Sequence, residues 1–95
     1  MKPVFRISVE TEDETGKVLA VYFQLRTGRS AEVREFADGR AFADYDRRGR
    51  LIGVEILAPC KLSILDKIAD DETASFRSSA KRFMRNTGPR ELVTA

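Results

Sequence analysis

The stretch Asp46-Arg47-Arg48-Gly49-Arg50 lies between two apolar runs, Arg40–Tyr45 and Leu51–Leu57. This is turn chemistry that commits its flanks to a β-hairpin. A three-residue loop of this kind forms a type I turn followed by a residue at positive φ. Gly49 takes positive φ without a Cβ clash. The Asp46 carboxylate is placed to accept a backbone N–H two residues on. If Asp46 pairs with Arg50, then Tyr45 faces Leu51, Asp44 faces Ile52, Ala43 faces Gly53 and Phe42 faces Val54. Paired residues share a face. That register predicts one core face of Phe42, Ile52, Val54 and Ile56. It predicts a second, small-sided face of Ala41, Ala43 and Gly53, flanked by Tyr45 and Leu51, open to close approach by a helix or a second sheet. A one-residue slip exchanges the two faces.

Upstream, Val4–Glu10 alternates, with Phe5, Ile7 and Val9 on one side and Arg6, Ser8 and Glu10 on the other. This is the pattern of a half-buried strand. Thr11–Gly16 is a polar, acidic turn. Lys17–Arg26 alternates again, with Leu19, Val21, Phe23 and Leu25 inward, Tyr22 and Gln24 outward, so the two strands predict a hairpin. After Thr27-Gly28, Ser30–Phe36 is a weaker strand whose Glu32, Arg34 and Glu35 suit a solvated face or an edge. Ala37-Asp38-Gly39 turns into the central hairpin. Five strands on short turns give the pattern of an antiparallel β-meander.

Ala58-Pro59 ends the sheet, because proline cannot donate to a ladder. Leu62, Leu65 and Ala69, with Ile64 and Ile68 beside them, then show helical spacing. Asp70-Asp71-Glu72-Thr73 marks a break and a new helix start with Thr73 as N-cap. Phe76, Ala80, Phe83 and Met84 follow at i, i+4, i+7 and i+8, and Gly88-Pro89 stops the helix. One helix or two is compatible with the pattern, and the acidic break favours two. Residues Arg90 to Ala95 are expected to fray. The fold class is therefore α+β: an antiparallel five-stranded meander over residues 1–58, followed by one or two C-terminal helices over 59–95, in a single domain. A chain of 95 residues can bury roughly 65% of its unfolded surface.

The central residues also carry a resemblance. The run Asp38-Gly39, Ala43-Asp44-Tyr45-Asp46 and Gly49-Arg50-Leu51-Ile52-Gly53-Val54-Glu55-Ile56-Leu57 resembles the signature of the domain of unknown function 2283 family of small bacterial proteins. That signature is an Asp-Tyr-Asp preceded by valine or alanine, a Gly-Arg turn, then Gly-Ile-Glu-Ile-Leu. The resemblance covers Ala31 to Leu57. Further upstream, Leu19–Phe23 is similar to the family's Asp-Ala-Leu-Tyr-Ile strand, with Leu19 in place of the Asp. Beyond Leu57 there is no counterpart. The resemblance implies a small β-meander and imports no activity. The proximity of some members to toxin-like genes implies an antitoxin-like, partner-binding role.

The chemistry the residues allow is narrow. The sequence contains no histidine, which removes the commonest general base and metal ligand. A single cysteine, Cys60, forms no intramolecular disulfide and, without a histidine base, reads as a small buried apolar residue. Asp44, Asp46 and Glu55 are the carboxylates for acid–base work or a hard cation, but the register above sets Asp44 and Glu55 on opposite faces, and Asp46 is needed by the turn. Glu12-Asp13-Glu14 lacks the spacing of an EF-hand loop. Ser78-Ser79 beside Lys81 and Arg82 has no nucleophile signature, and no glycine opens a helix as a phosphate loop does. No catalytic residue, cofactor or metal is expected, and the protein is read as not an enzyme. No apolar run reaches the ~20 residues of a membrane span and no signal segment leads the first strand, so a cytoplasmic location away from membranes is expected.

Charge is unevenly placed. Residues 1–72 hold twelve Lys/Arg against fourteen Asp/Glu, and residues 73–95 hold five against one. The basic helix Thr73–Thr87 has three readings: sheet packing with solvated charges, a helix that binds a protein or a second copy, or a nucleic-acid surface. The partner-binding candidates are Phe76, Arg77, Lys81, Arg82, Phe83, Met84 and Arg85. The expected function is a non-enzymatic protein-interaction module. A homodimer is the expected assembly, and a small toxin-like protein is the partner that the family resemblance implies. The runner-up is a nucleic-acid-binding regulator using Arg77, Lys81, Arg82 and Arg85.

Overall fold

A computed structural model describes residues 3–61 and 63–87. Leu62, Gly88, Pro89 and Arg90 to Ala95, on which parts of the helical reading rest, lie outside the described residues. Five strands, β1 (Pro3–Thr11), β2 (Val18–Arg26), β3 (Glu32–Phe36), β4 (Ala41–Tyr45) and β5 (Leu51–Leu57), are followed by helices α1 (Ser63–Ala69) and α2 (Ala74–Thr87). The class is α+β, with one antiparallel sheet and two helices, the alternative that the acidic break at Asp70–Glu72 favours.

The strand order is β1-β2-β5-β4-β3. The last three strands form a meander, and the β1–β2 hairpin is set against its final strand, β5, rather than against β3. Composition explains the choice. The strands β2 and β5 are the most apolar and take interior places; β3, Glu-Val-Arg-Glu-Phe, is nearly all exposed and blunts an edge with charge. The connection from β2 to β3 must then pass the ends of β5 and β4. Three strand spacings are about 14 Å, and residues 27–31 reach about 17 Å when extended, so this short link suffices.

The turn forms as its chemistry dictates. Asp46 N donates to Arg50 O at 2.9 Å and Gly49 N to Asp46 O at 3.0 Å, and Gly49 has φ 78°. Asp46 Oδ1 accepts from the backbone N–H groups of Arg48 and Arg50, both at 2.9 Å. These bonds to the charged carboxylate, with the Arg50 guanidinium beside it, hold the Asp46 pKa below its ordinary value.

The register beyond the turn departs from expectation. Tyr45 pairs with Leu51, but Asp44 pairs with Gly53, Ala43 with Val54, Phe42 with Glu55 and Ala41 with Ile56. Ile52 is an extra residue, a β-bulge, and it resets the faces one residue beyond the turn. The core face is therefore Ala41, Ala43, Tyr45, Leu51, Val54 and Ile56, joined by Val21, Phe23 and Leu25 of β2. Phe42 lies on the opposite face, and Ile52, though buried, is outside this cluster. The small side chains of Ala41 and Ala43 let the helices close in, and Leu65, Ile68, Ala69, Ala80 and Met84 cover them.

Phe5 of β1 stacks on Phe83 at 5.1 Å between centroids, and Phe83 meets Phe23 edge-on at 6.0 Å. A buried ion pair fixes the interhelical link: Arg26 Nη1 donates to Glu72 Oε1 at 2.7 Å and to Leu51 O at 2.9 Å, with its guanidinium 3.7 Å above the Phe76 ring. Burial of that charge is compensated by a carboxylate, a carbonyl and a π-face together. Helix α2 starts where Thr73 O accepts from Arg77 N at 2.8 Å.

Candidate functional site

The bulge changes which carboxylates meet. The face turned away from the helices carries the cross-strand row Ser8, Tyr22, Glu55, Phe42 and Glu35, and the row Arg6, Gln24, Gly53, Asp44 and Val33. Asp44 and Glu55, expected on opposite faces, share this one. The Tyr22 ring lies across Gly53: a Cβ built there would stand 2.0 Å from Tyr22 Oη and 2.3 Å from its Cζ. Only glycine leaves that space. Tyr22 Oη reaches over β5 to donate to Asp44 Oδ2 at 3.0 Å. Burial first, then the Asp44 charge and bond and the Glu55 charge, push the Tyr22 pKa far above its ordinary 10.0. Tyr22 is therefore a fixed neutral donor at physiological pH. A glycine inside a strand signals a bulge or a close approach; here Gly53 marks both, and it is the one sequence signal that points to this arrangement.

The face is also apolar in part. Phe42, Leu57 and Tyr22 are half-buried, and Val33 is 57% exposed. None belongs to the core cluster or packs against it.

The partner-binding candidates on α2 are spent largely within the chain. Met84 is completely buried, and Phe76 and Phe83 are half-buried, Phe83 against Phe5 and Phe23, Phe76 under Arg26. Lys81 Nζ pairs with Asp70 Oδ1 at 2.9 Å, Arg77 Nη1 donates to Asp70 O at 3.3 Å, and Arg85 pairs with Asp66. The charge of this helix meets the carboxylates between and within the helices, and Arg82 is exposed. The helical spacing of Phe76, Ala80, Phe83 and Met84 is accounted for by sheet packing.

Cys60 is buried, and burial raises its thiol pKa against the weaker opposing pull of Arg40. A thiol so placed stays protonated at neutral pH and is a poor nucleophile. It borders a depression of ≈ 430 Å³ with Arg40, Lys61, Ser63 and Lys67.

One grouping has no sequence precursor. The link from β2 to β3 brings Arg29 beside the β4–β5 turn, where Gly28, Arg29, Asp46, Arg47, Arg48 and Arg50 line an open depression of ≈ 420 Å³. A second, of ≈ 300 Å³, is lined by Arg29, Ser30, Ala31 and Arg47. The signal was divided between two turns eighteen residues apart in the chain, and only the strand order unites them.

Among the described residues, no helix is long and apolar enough to cross a membrane. Comparison with known proteins returns nothing similar: no family model, no curated protein and no solved structure matches the chain.

Proposed function

We propose that the chain is a non-enzymatic protein-interaction module that docks through the face of the sheet opposite its helices, and that its first partner is a second copy of itself. The observation that carries this reading is the one-sided placement of the helices. It leaves Phe42, Val33 and Leu57 around a rigid Tyr22–Asp44 pair, outside the core cluster formed by the described residues. Exposed apolar residues grouped on one face and rimmed by charge are characteristic of interaction surfaces.

The rim suits two-fold symmetry. Arg6 sits at the β1 edge of this face and Glu35 at the β3 edge, both exposed. A two-fold axis parallel to the strands sets the Arg6 edge of one copy against the Glu35 edge of the other, an isologous contact. An antitoxin-like role is the sharpest form of the reading and is drawn from the family resemblance of residues 31–57; a small toxin would then compete for the same face.

Light scattering after size exclusion at micromolar concentration tests it. The wild type is expected to run as a dimer and Phe42→Arg as a folded monomer with an unchanged circular-dichroism spectrum. A monomeric wild type, or a dimer that Phe42→Arg leaves intact, overturns the reading.

A further inference from the structure

We propose that the arginine-lined end of the sheet, Arg29 with Arg47, Arg48 and Arg50, is a docking site for the phosphodiester backbone of nucleic acid, read without regard to base sequence. The site is independent of the uncovered face and lies at the tip of the central hairpin.

Four arginines from two separate turns line one depression, and that lining includes a single carboxylate, Asp46. That carboxylate is engaged by the turn and by Arg50 Nε at 2.9 Å. Arg29, Arg47 and Arg48 are exposed and have no ion pair among the described residues. Bringing like charges together at a tip whose one carboxylate is already engaged is unfavourable unless an anion joins them.

The chemistry of the lining selects the anion. Every cation in it is arginine, whose planar fork matches phosphate in two-point contacts that a lysine ammonium does not make. The two depressions share Arg29 and Arg47. They therefore adjoin, and a track of two adjoining sites suits successive phosphates on one strand better than a single free phosphate. No aromatic side chain lines either depression, so no base is stacked or read, and contact is with the backbone alone. Ala31 is the one apolar side chain in the track, so the tip has nothing to insert among lipid tails. The opposite end of the β1–β2 hairpin carries Glu12, Asp13 and Glu14. A polyanion is repelled there and drawn to the arginine end.

Fluorescence anisotropy with a labelled mixed-sequence oligonucleotide, single-stranded and duplex, tests the site with the full chain. Binding is expected at low salt, with the same affinity for unrelated sequences. Its logarithm should fall linearly with that of salt concentration, with a slope of about −0.7 per phosphate contact for the single strand and about −0.9 for the duplex. The double variant Arg47→Ser/Arg48→Ser should weaken binding at least about tenfold and reduce the slope by about two contacts' worth. Arg29→Glu, on the other turn, should do the same, which guards against a fold defect peculiar to the hairpin. Lys81→Ser/Arg82→Ser should change nothing. The inference is overturned if the wild type does not bind at low salt, or if the arginine variants bind as well as the wild type. It is equally overturned if the loss follows the α2 variant instead. Binding of polyglutamate or of phosphatidylserine vesicles as tight as that of the oligonucleotide would assign the site to acidic protein or to membrane and overturn it as well.

Discussion

The two faces of the sheet are built from the same strands and solve opposite problems. Toward the helices, Val21, Phe23, Leu25, Val54 and Ile56 are all but sealed from water, and alanines at positions 41 and 43 set the distance of approach. On the other side, Tyr22, Gln24, Phe42, Asp44 and Glu55 are half-covered, held by one hydrogen bond over a glycine. The first face derives its stability from apolar area. The second derives its order from a polar contact that leaves area available. Which strand residues went to which face was decided by one inserted residue, Ile52.

The contrast can be broken first at its strongest side. Phe23→Ala removes a fully buried ring and should cost about 3–5 kcal/mol, whereas Phe42→Ala on the other face should cost less than about 1 kcal/mol in the monomer. Urea melts of both measure the difference directly, and equal losses would show that the faces are not distinct.

Gly53→Ala probes the second face. The added Cβ meets the Tyr22 ring and lies 2.9 Å from Phe23 O, so a loss of about 2–3 kcal/mol is expected. Adding Tyr22→Ala should recover part of it, because the ring must move but the carbonyl remains. A strictly additive double mutant would show that Tyr22 does not lie over Gly53.

Gly49→Val should cost about 1–2 kcal/mol, since a β-branched residue must hold positive φ at the turn that both faces share. A denaturation midpoint unchanged from wild type would count against that turn.

Tyr22→Phe should cost about 1 kcal/mol for the lost bond to Asp44, and its clearer readout is alkaline. The native state holds the Tyr22 proton more tightly than the unfolded chain does. The stabilisation is thus complete below the ordinary tyrosine pKa and is lost as pH rises through and beyond it. Tyr22→Phe should flatten the alkaline fall in stability. On the acid side Asp46 has the opposite sign: its lowered pKa gives stability that is present above the ordinary carboxylate value of 3.8 and lost as pH falls below it. Asp46→Asn should flatten that limb, as seen in thermal melts across acid pH.

Much of this arrangement is legible in the residues themselves, and what is not has a definite cause. The turn at Asp46–Arg50, the alternation of Val21, Phe23 and Leu25 in β2, the edge character of Glu32–Glu35 and the break before Thr73 are all local, set by φ, by hydrogen-bond donors or by a period of two or 3.6. Leu19, expected inward, is exposed beside the irregular pairing at Thr11. The Asp44–Glu55 face escaped because a turn determines register only at the first pair. A bulge one residue later costs little locally and is chosen by the core, which needs Ala41 and Ala43 beneath the helices. The arginine end escaped because it depends on strand order, a decision among distant pairings that no window of sequence contains. Helix α2 shows the reverse: its spacing was plain, but its stripe fits an intrachain core as well as a partner, and the acids that absorb Lys81 and Arg85 lie in or just after another helix.

The place of β5 also governs how the molecule comes into being. Tyr22 must wait for Glu55, 33 residues later in the chain, before β2 acquires its second neighbour. The β1–β2 hairpin can form early, but a lone hairpin is marginal in water. During synthesis the richest apolar strand therefore stands with one bare edge until the last strand has emerged, and closing the centre of the sheet means closing a long loop. The slow step in folding is thereby placed in the middle of the sheet, with the pairing of β2 to β5, and the interval before it is when a nascent chain of this kind is most exposed to mispairing with its neighbours.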